Sequence, residues 1–399
     1  MHAPSERIRP EDEMSPDALF AVLAAEHEHV FWLDGGPGGT SRVGYGAPVP
    51  LAAGAVLPGL RDALADAPLG LVGWLGYELR AETMGMPLAR AAERPPAAFL
   101  RVEREWQVRD PGPIVRSPTL RAPDVAERTT RRDADAAYLA KIAACQDAIR
   151  AGEAYLLCLT TEYRVDAGID ALATYRALRA SSATGRGGVL RIGGTTLLSA
   201  TPERFLEVAD GVARTRPIKG TRPRDPDPVE DARLAAELAA SEKERAENLM
   251  IVDLMRNDLA RVCPPGAVAV TGLFAVESHP QVHQLVSTIE GTLAPGRDAI
   301  DAIAACFPAG SMTGTPKRRA IELLDELEGA DRGPYAGAFG RLGPDGSAAL
   351  DMTIRTIVVE PGGASIGAGG GITALSDPAA ELAEVVLKAR ALLAALAVR

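Results

Sequence analysis

The chain has 399 residues, 47% hydrophobic and 24% charged, which suits one large fold or two to three domains. Against 53 Asp and Glu stand 43 Lys and Arg, a formal charge of −10 with no dominant like-charge block, and this argues against nucleic acid or an anionic membrane as partner. Four scattered cysteines fit free thiols in a reducing cytoplasm; the opening MHAPSERIRPEDEMSPD lacks an apolar signal core, and no apolar run approaches the ~18 residues of a membrane span.

Residues 17–110 mix short helical and strand signals, among them VFWLDGG (30–36) and GLVGWLGYEL (70–79). The polar stretch RSPTLRAPDVAERTTRRDAD (116–135) reads as a linker. The helix after it carries Tyr138, Ile142, Cys145 and Ile149 on one stripe and stops near Gly152. Short strands follow, AYLLCLTTEYRV, GGVLRI, TTLLSA, RFLEVAD and GVARTRPI, whose Gly-rich turns favour antiparallel hairpins over βαβ units. Residues 229–259 are helical, with Ser241 and Glu244 spaced as a capping box that starts a second helix.

Strands resume at AVAVTGLFAVES and HQLVSTIEGTL, and a helix covers about 298–306. TPKRRAIELLDELEG predicts a helix with Thr315 as N-cap and Pro316 in first position. Two strands flank Gly-Pro-Asp-Gly, another lies at GASIGAGGGI, and a closing helix begins after Asp377-Pro378. The pattern is α+β, with large antiparallel sheets and helices outside.

Several residues are candidates for chemistry. Glu381, Glu384 and Lys388 share one face of the closing helix, and Glu244 and Glu247 lie one turn apart on another. Two carboxylate pairs suit a hard cation such as Mg²⁺, although glutamates at this spacing also decorate many exposed helices. GSMTGTPK (310–317) suits an anion at a helix start but lacks the P-loop ending. GAGGGI (367–372) fails the dinucleotide fingerprint and is left as a tight turn or carboxylate-binding nest.

His279 and His283, and likewise His27 and His29, lack a third ligand, so zinc is not expected. Asp253, Arg256, Asn257 and Asp258 read as an internal ion-pair and capping network. Arg355, in the strand DMTIRTIVV, is placed to hold a carboxylate bidentately. Lys219, in TRPIKGTRPR (215–224), is either a solvated turn lysine or an amine beside an anion site.

Over about 135–392 the motifs occur in one order: TPERF, RPIKGTRPR, SEKERAENLMIVDLMRNDLARV, VHQLVSTIEG, FPAGSMTGTPKRRAIELLDELE, RGPYAGAFG, TIRTIVV, GAGGGI and E-x-x-E-x-x-x-K. This string resembles the chorismate-utilising enzymes. The resemblance implies one fold of two packed antiparallel sheets, with residues 1–130 an N-terminal region of the same sandwich and 131–399 the chorismate-binding region. It implies a Mg²⁺-dependent site held by Glu247 and Glu384, with Glu244 and Glu381 in support. Glu203 would be the general acid or base. Tyr335, Arg355 and the amides of Gly369, Gly370 and Gly371 would hold the enolpyruvyl carboxylate, with Ser311, Thr313 and Lys388 along the remaining wall.

Within that family anthranilate synthases read PIAGT, whereas the branch that aminates chorismate at C4, on the 4-aminobenzoate and folate route, reads PIKGT as here. The resemblance therefore implies that Lys219 is a nucleophile forming a covalent adduct. No cysteine sits in a glutaminase context, so ammonia is expected from a separate glutamine amidotransferase subunit or from free ammonium. Two departures stand out: Leu156 where amine-using members carry glutamine, and Gln284 where many carry histidine, with His283 one residue earlier and on the opposite strand face. Anthranilate formation, a non-catalytic amidotransferase partner and a Schiff-base lysine are the alternatives.

Overall fold

Side-chain alternation along single strands builds two apolar layers at once. In β1 (Val30–Asp34), Val30 and Trp32 face one way and Phe31 the other. The computed structural model describes residues 14–110, 127–181, 185–279 and 282–397. Before and after β1 come α1 (Pro16–Glu26), β2 (Thr40–Pro48), α2 (Val56–Ala65), β3 (Leu71–Leu75), α3 (Arg80–Met84), β4 (Ala97–Arg109) and β5 (Thr129–Arg131). The chain continues through α4 (Asp135–Arg150), β6 (Leu156–Val165), α5 (Ala171–Ser181), β7 (Gly187–Ile192), β8 (Thr195–Ser199), β9 (Arg204–Ala209), β10 (Val212–Thr215) and β11 (Ile218–Pro223).

Two helices follow, α6 (Pro228–Ala240) and α7 (Glu242–Ala260), then β12 (Val268–Ser278), β13 (Val282–Thr292), α8 (Ala299–Cys306), β14 (Gly314–Thr315) and α9 (Lys317–Glu328). The last elements are β15 (Ala338–Leu342), β16 (Ala348–Met352), β17 (Thr356–Glu360), β18 (Gly363–Ile372) and α10 (Pro378–Leu396).

Every strand pairing is antiparallel, and together they form one ribbon. Its first limb runs β6–β18–β17–β8–β7–β1. The ribbon turns through β2 and β4, and the second limb runs β3–β15–β16–β9–β10–β13–β12. Phe31, Leu190, Leu197 and Val358 of the first limb pack against Val72, Trp74, Leu100 and Phe339, so the limbs are the two packed sheets. The outer face of the first carries α1, α4, α5, α9 and α10 through residues such as Leu19, Ile142, Tyr175, Leu324 and Val385. That of the second carries α2, α7 and α8 through Leu60, Ile251 and Ile303. Each such side chain stabilises the fold by about 1.5–3 kcal/mol on burial. The fold is α+β, as its patterning implies.

Four local expectations are corrected. Thr129–Arg131, in the stretch read as a linker, pair with β6 as β5, while residues 116–126 of it lie outside the described residues. Thr315 does not cap α9: its backbone pairs with Leu156 and its carbonyl accepts the Tyr155 N–H at 2.7 Å, so the helix starts at Lys317 behind an extended Pro316. Ser241 caps α7, accepting the Glu244 N–H at 3.4 Å, but the Glu244 carboxylate turns towards Arg222 at 3.7 Å instead of closing a capping box. GAGGGI is neither turn nor nest: it is β18, paired to β6 along its length.

Of the acidic network read in α7, Asp258 forms a buried pair with Lys317 at 2.5 Å, whereas Asp253 and Arg256 pair on the surface. The closing helix keeps its cap, with the Ala380 N–H donating to the Asp377 carboxylate at 2.8 Å. No described helix is long and apolar enough to cross a membrane.

Candidate active site

A β-bulge presents Lys219. On β11, Ile218 faces Val286 of β13 and Thr221 faces Gln284, so one residue too many lies between them and the strand bends there. Gly220 makes the bend possible with φ +84°, where a Cβ would also come within 2.8 Å of Leu238 and 3.0 Å of Glu244. The bulge turns Lys219 across to the other end of the ribbon. A methyl group on Gly371 of β18 would lie 3.6 Å from the Lys219 Nζ and 3.1 Å from Leu156. Among the described residues the ammonium has no hydrogen-bond or ion-pair partner.

Between these two ends of the ribbon lies a cavity of about 770 Å³. Glu203, just before β9, is fixed through its backbone: its carbonyl accepts the Met352 N–H at 3.0 Å. Its side chain is 6% exposed and lines the cavity. Burial pushes its carboxyl up to about 7, against the pull of the Ser311 hydroxyl and the Lys219 ammonium. The Ser311 hydroxyl acts on this carboxyl from outside good hydrogen-bond geometry, which leaves Glu203 Oε1 and Ser311 Oγ buried and unsatisfied, a cost a ligand would relieve.

The opposite wall is cationic. Arg355 is not within a strand; it occupies the break between β16 and β17 with φ 51°, a left-handed conformation that costs energy in any residue with a Cβ. Its carbonyl accepts the Ala200 N–H at 3.1 Å, and its guanidinium reaches the Lys388 carbonyl at 3.4 Å. Burial lowers the pKa of its guanidinium, partly offset by Tyr335 and Glu384. Tyr335 lies flat on β18, where a Cβ at Gly367 would fall 2.1 Å from its ring. Lys388, on α10, donates to the Gly369 carbonyl at 2.8 Å and pairs with Glu384 at 2.8 Å.

Two helices bring in carboxylates. Glu244 and Glu247 come from α7, Glu381 and Glu384 from α10, and all four line the cavity. Burial pushes Glu247 up against Lys219 and Lys243, with Glu244 and Glu381 adding to the rise. Burial also raises Glu384, but Lys388, with Lys219 and Lys243, more than reverses it. Glu381 accepts the Ser376 hydroxyl at 2.8 Å and sits beside Gly370. Among the described residues no three such ligands close into a ready-made cation site. Mg²⁺ requires none, since it commonly takes one or two carboxylates and completes its shell with substrate oxygens and water. Glu247, half-buried, with no hydrogen bond among the described residues and only Lys243 at 4.0 Å, is the carboxylate a cation would stabilise most.

Residues 50–394 match the profile of the chorismate binding enzymes. The chain belongs to that family. It is 43% identical to an aminodeoxychorismate synthase of Streptomyces pristinaespiralis, over 82% of this chain and 51% of that protein. It thus spans about half the length of that relative. To an anthranilate synthase component 1 of Streptomyces coelicolor it is 38% identical, over 96% of this chain and 87% of that one. The crystal structure of anthranilate synthase component I from Streptococcus pneumoniae superposes with a TM-score of 0.77 at 25% identity, covering 98% and 100% of the two chains.

In this chorismate binding enzyme the cavity gathers Lys219, Glu203, Ser311, Tyr335, Arg355, Gly369, Gly370, Gly371, Lys388 and the four glutamates. Thr313 is the exception. It is fully buried and its hydroxyl donates to the carbonyls of Ala309 and Gly310 at 3.2 and 3.3 Å, so it shapes the turn that carries Ser311. Sequence reasoning missed Arg186, Lys243 and Met312 on the wall, and treated Arg216 and Arg222 only as neighbours of Lys219. Lys243, one turn before Glu247, carried a readable signal; Arg186 follows a Gly-rich turn and carried none. Gln284 faces the cavity and His283 faces away, as the strand alternation predicts.

Proposed function

We propose that this chain aminates chorismate at C4 to give 4-amino-4-deoxychorismate, with Lys219 as a covalent nucleophile, in the cytoplasm and on the 4-aminobenzoate and folate route. The observation that carries the reading is the unpartnered Lys219 amine, presented by its bulge inside a cavity lined by both glutamate-bearing helices. The neutral amine bonds to C2 of the ring, the two ring double bonds shift, and the C4–O bond breaks. Glu203 gives the departing hydroxyl a proton, so that it leaves as water. Ammonia then bonds to C4, the double bonds shift back, and the C2–N bond to Lys219 breaks with its electron pair returning to nitrogen.

Arg355, Tyr335 and the β18 backbone would orient the enolpyruvyl carboxylate. Glu247 and Glu384 would hold Mg²⁺, with Glu244 and Glu381 supporting them. When bound, that ion neutralises the ring carboxylate. Leu156, against Gly371 and near the amine, offers no group to activate water, which supports amine over water as nucleophile. Ammonia comes from a glutamine amidotransferase or from free ammonium.

The second reading is anthranilate synthesis, favoured by the long match to the Streptomyces coelicolor protein and disfavoured by Lys219. Incubation with chorismate, Mg²⁺ and ammonium, followed by mass spectrometry, separates them. A product retaining the enolpyruvyl group and a new amine supports the proposal. Anthranilate with pyruvate supports the second reading, and unchanged chorismate removes both.

A further inference from the structure

His283 is a buried titratable group that the proposed chemistry leaves unused. It is 2% exposed, on the face of β13 turned away from the cavity. Its Nε2 lies 2.9 Å from Asp231 Oδ1 in the first turn of α6, and its Nδ1 lies 2.7 Å from Ser278 Oγ on β12. A carboxylate can only accept, so Nε2 carries the proton, and in the neutral ring Nδ1 accepts from the Ser278 hydroxyl.

Asp231 gathers more than the imidazole. It accepts Arg224 Nε and Nη2, each at 2.8 Å, and the Asp225 N–H at 3.0 Å. The third arm of the same guanidinium, Arg224 Nη1, donates to the His279 carbonyl at 2.8 Å. One carboxylate therefore ties the outgoing end of β11 to β12, β13 and α6. Arg224, the Asp225 amide and His283, in that order, hold it far below the usual carboxylate range, so it stays ionised.

That end matters because of the bulge. Lys219 sits between two anchors. Before it, the Ser287 N–H donates to the Pro217 carbonyl at 3.2 Å. After it, only Thr221, Arg222 and Pro223 pair with β13, Arg222 directly opposite His283. Thr221 and Pro223 are exposed, and no described strand flanks the other edge of β11. With Gly220 free to rotate, this short second anchor decides where the amine points.

We infer that His283 is a positioning residue for Lys219, locking the outgoing end of the bulge through Asp231 and Arg224. The role of the amine itself rests on the function proposed above. Steady-state kinetics with chorismate and ammonium test it. His283→Ala lowers kcat between about 10- and 100-fold while the chorismate KM stays within about twofold, the signature of a misplaced reacting group. His283→Gln, whose amide N–H reaches Asp231 from the same side, recovers most of the rate. Asp231→Asn, which keeps the volume, reproduces the kcat loss should the alanine variant fail to fold.

Amide exchange in the free protein probes the lock apart from the reaction, and rises in residues 218–225 of His283→Ala without rising across the core. Unchanged kcat in both variants overturns the inference. So does a loss of kcat shared equally by KM, with exchange raised throughout and no recovery in the glutamine variant. If the wild-type protein makes no aminated product, the functional reading fails, and localised exchange alone decides the lock.

Discussion

A carboxyl pushed up to about 7 makes Glu203 the residue whose ionisation would gate the proposed cycle. Acting as the acid that protonates the leaving hydroxyl, it works only in its protonated form. Its pKa of about 7 therefore predicts kcat/KM falling as pH rises through 7. Glu203→Gln lowers kcat by about 10²–10⁴-fold and removes that limb from the pH–rate profile. Glu247→Gln weakens Mg²⁺ by at least about tenfold, read by calorimetry without turnover. Arg355 was legible as a cation facing inward, which the cavity wall bears out, but its backbone was not, because a break between two strands leaves no mark in the run DMTIRTIVV. Thr313 was misread because a polar residue in a glycine-rich loop looks the same whether it faces a ligand or bonds to its own turn.

At the scale of elements, the decisive feature is the bulge in β11. Gly220→Ala puts a Cβ at positive φ and 2.8 Å from Leu238, so it destabilises by about 1 kcal/mol or more and moves Lys219. Urea denaturation reads the first effect. A kcat loss with an unchanged circular dichroism spectrum reads the second. Helix starts were legible at Asp377 and Ser241, whose side chains do the capping. They failed at Thr315, whose backbone was claimed by a strand partner far away in sequence. β18 was legible as the strand GASIGAGGGI, but its glycine run also read as a turn or nest, and the close approach of Leu159, Thr160 and Tyr335 explains why glycines stand in an extended strand.

For the whole molecule, buried carboxyls tie stability to pH. Glu78, under the Arg332 backbone N–H at 2.9 Å, is pushed up to about 7 by burial. Its folded pKa exceeds the ordinary 4.5, so its contribution is fully present below about pH 4.5 and is lost as pH rises through 7. The loss is at most about 3 kcal/mol. Unfolding free energies measured from pH 5 to 8 should decline less steeply in Glu78→Gln than in the wild type; equal slopes would show that Glu78 ionises normally. Two packed sheets followed from the family resemblance, and the α+β class and its antiparallel strands were visible in periodicity and turn glycines. Their joining into one ribbon was not, since no local pattern tells residue 75 that it will pair with residue 338.

That ribbon has a temporal consequence. Its first-limb end, β6 and β18, and its second-limb end, β11 and β13, are linked through every intervening pairing, and the cavity between them exists only once both ends are in place. Contacts so distant along the chain form slowly, and meanwhile the β12 edge stays open to stray association. A protein stalled with both halves built but unclosed would own every catalytic side chain and bind nothing. Recovery of ligand affinity during refolding therefore marks the final closure step, lagging behind the return of secondary structure.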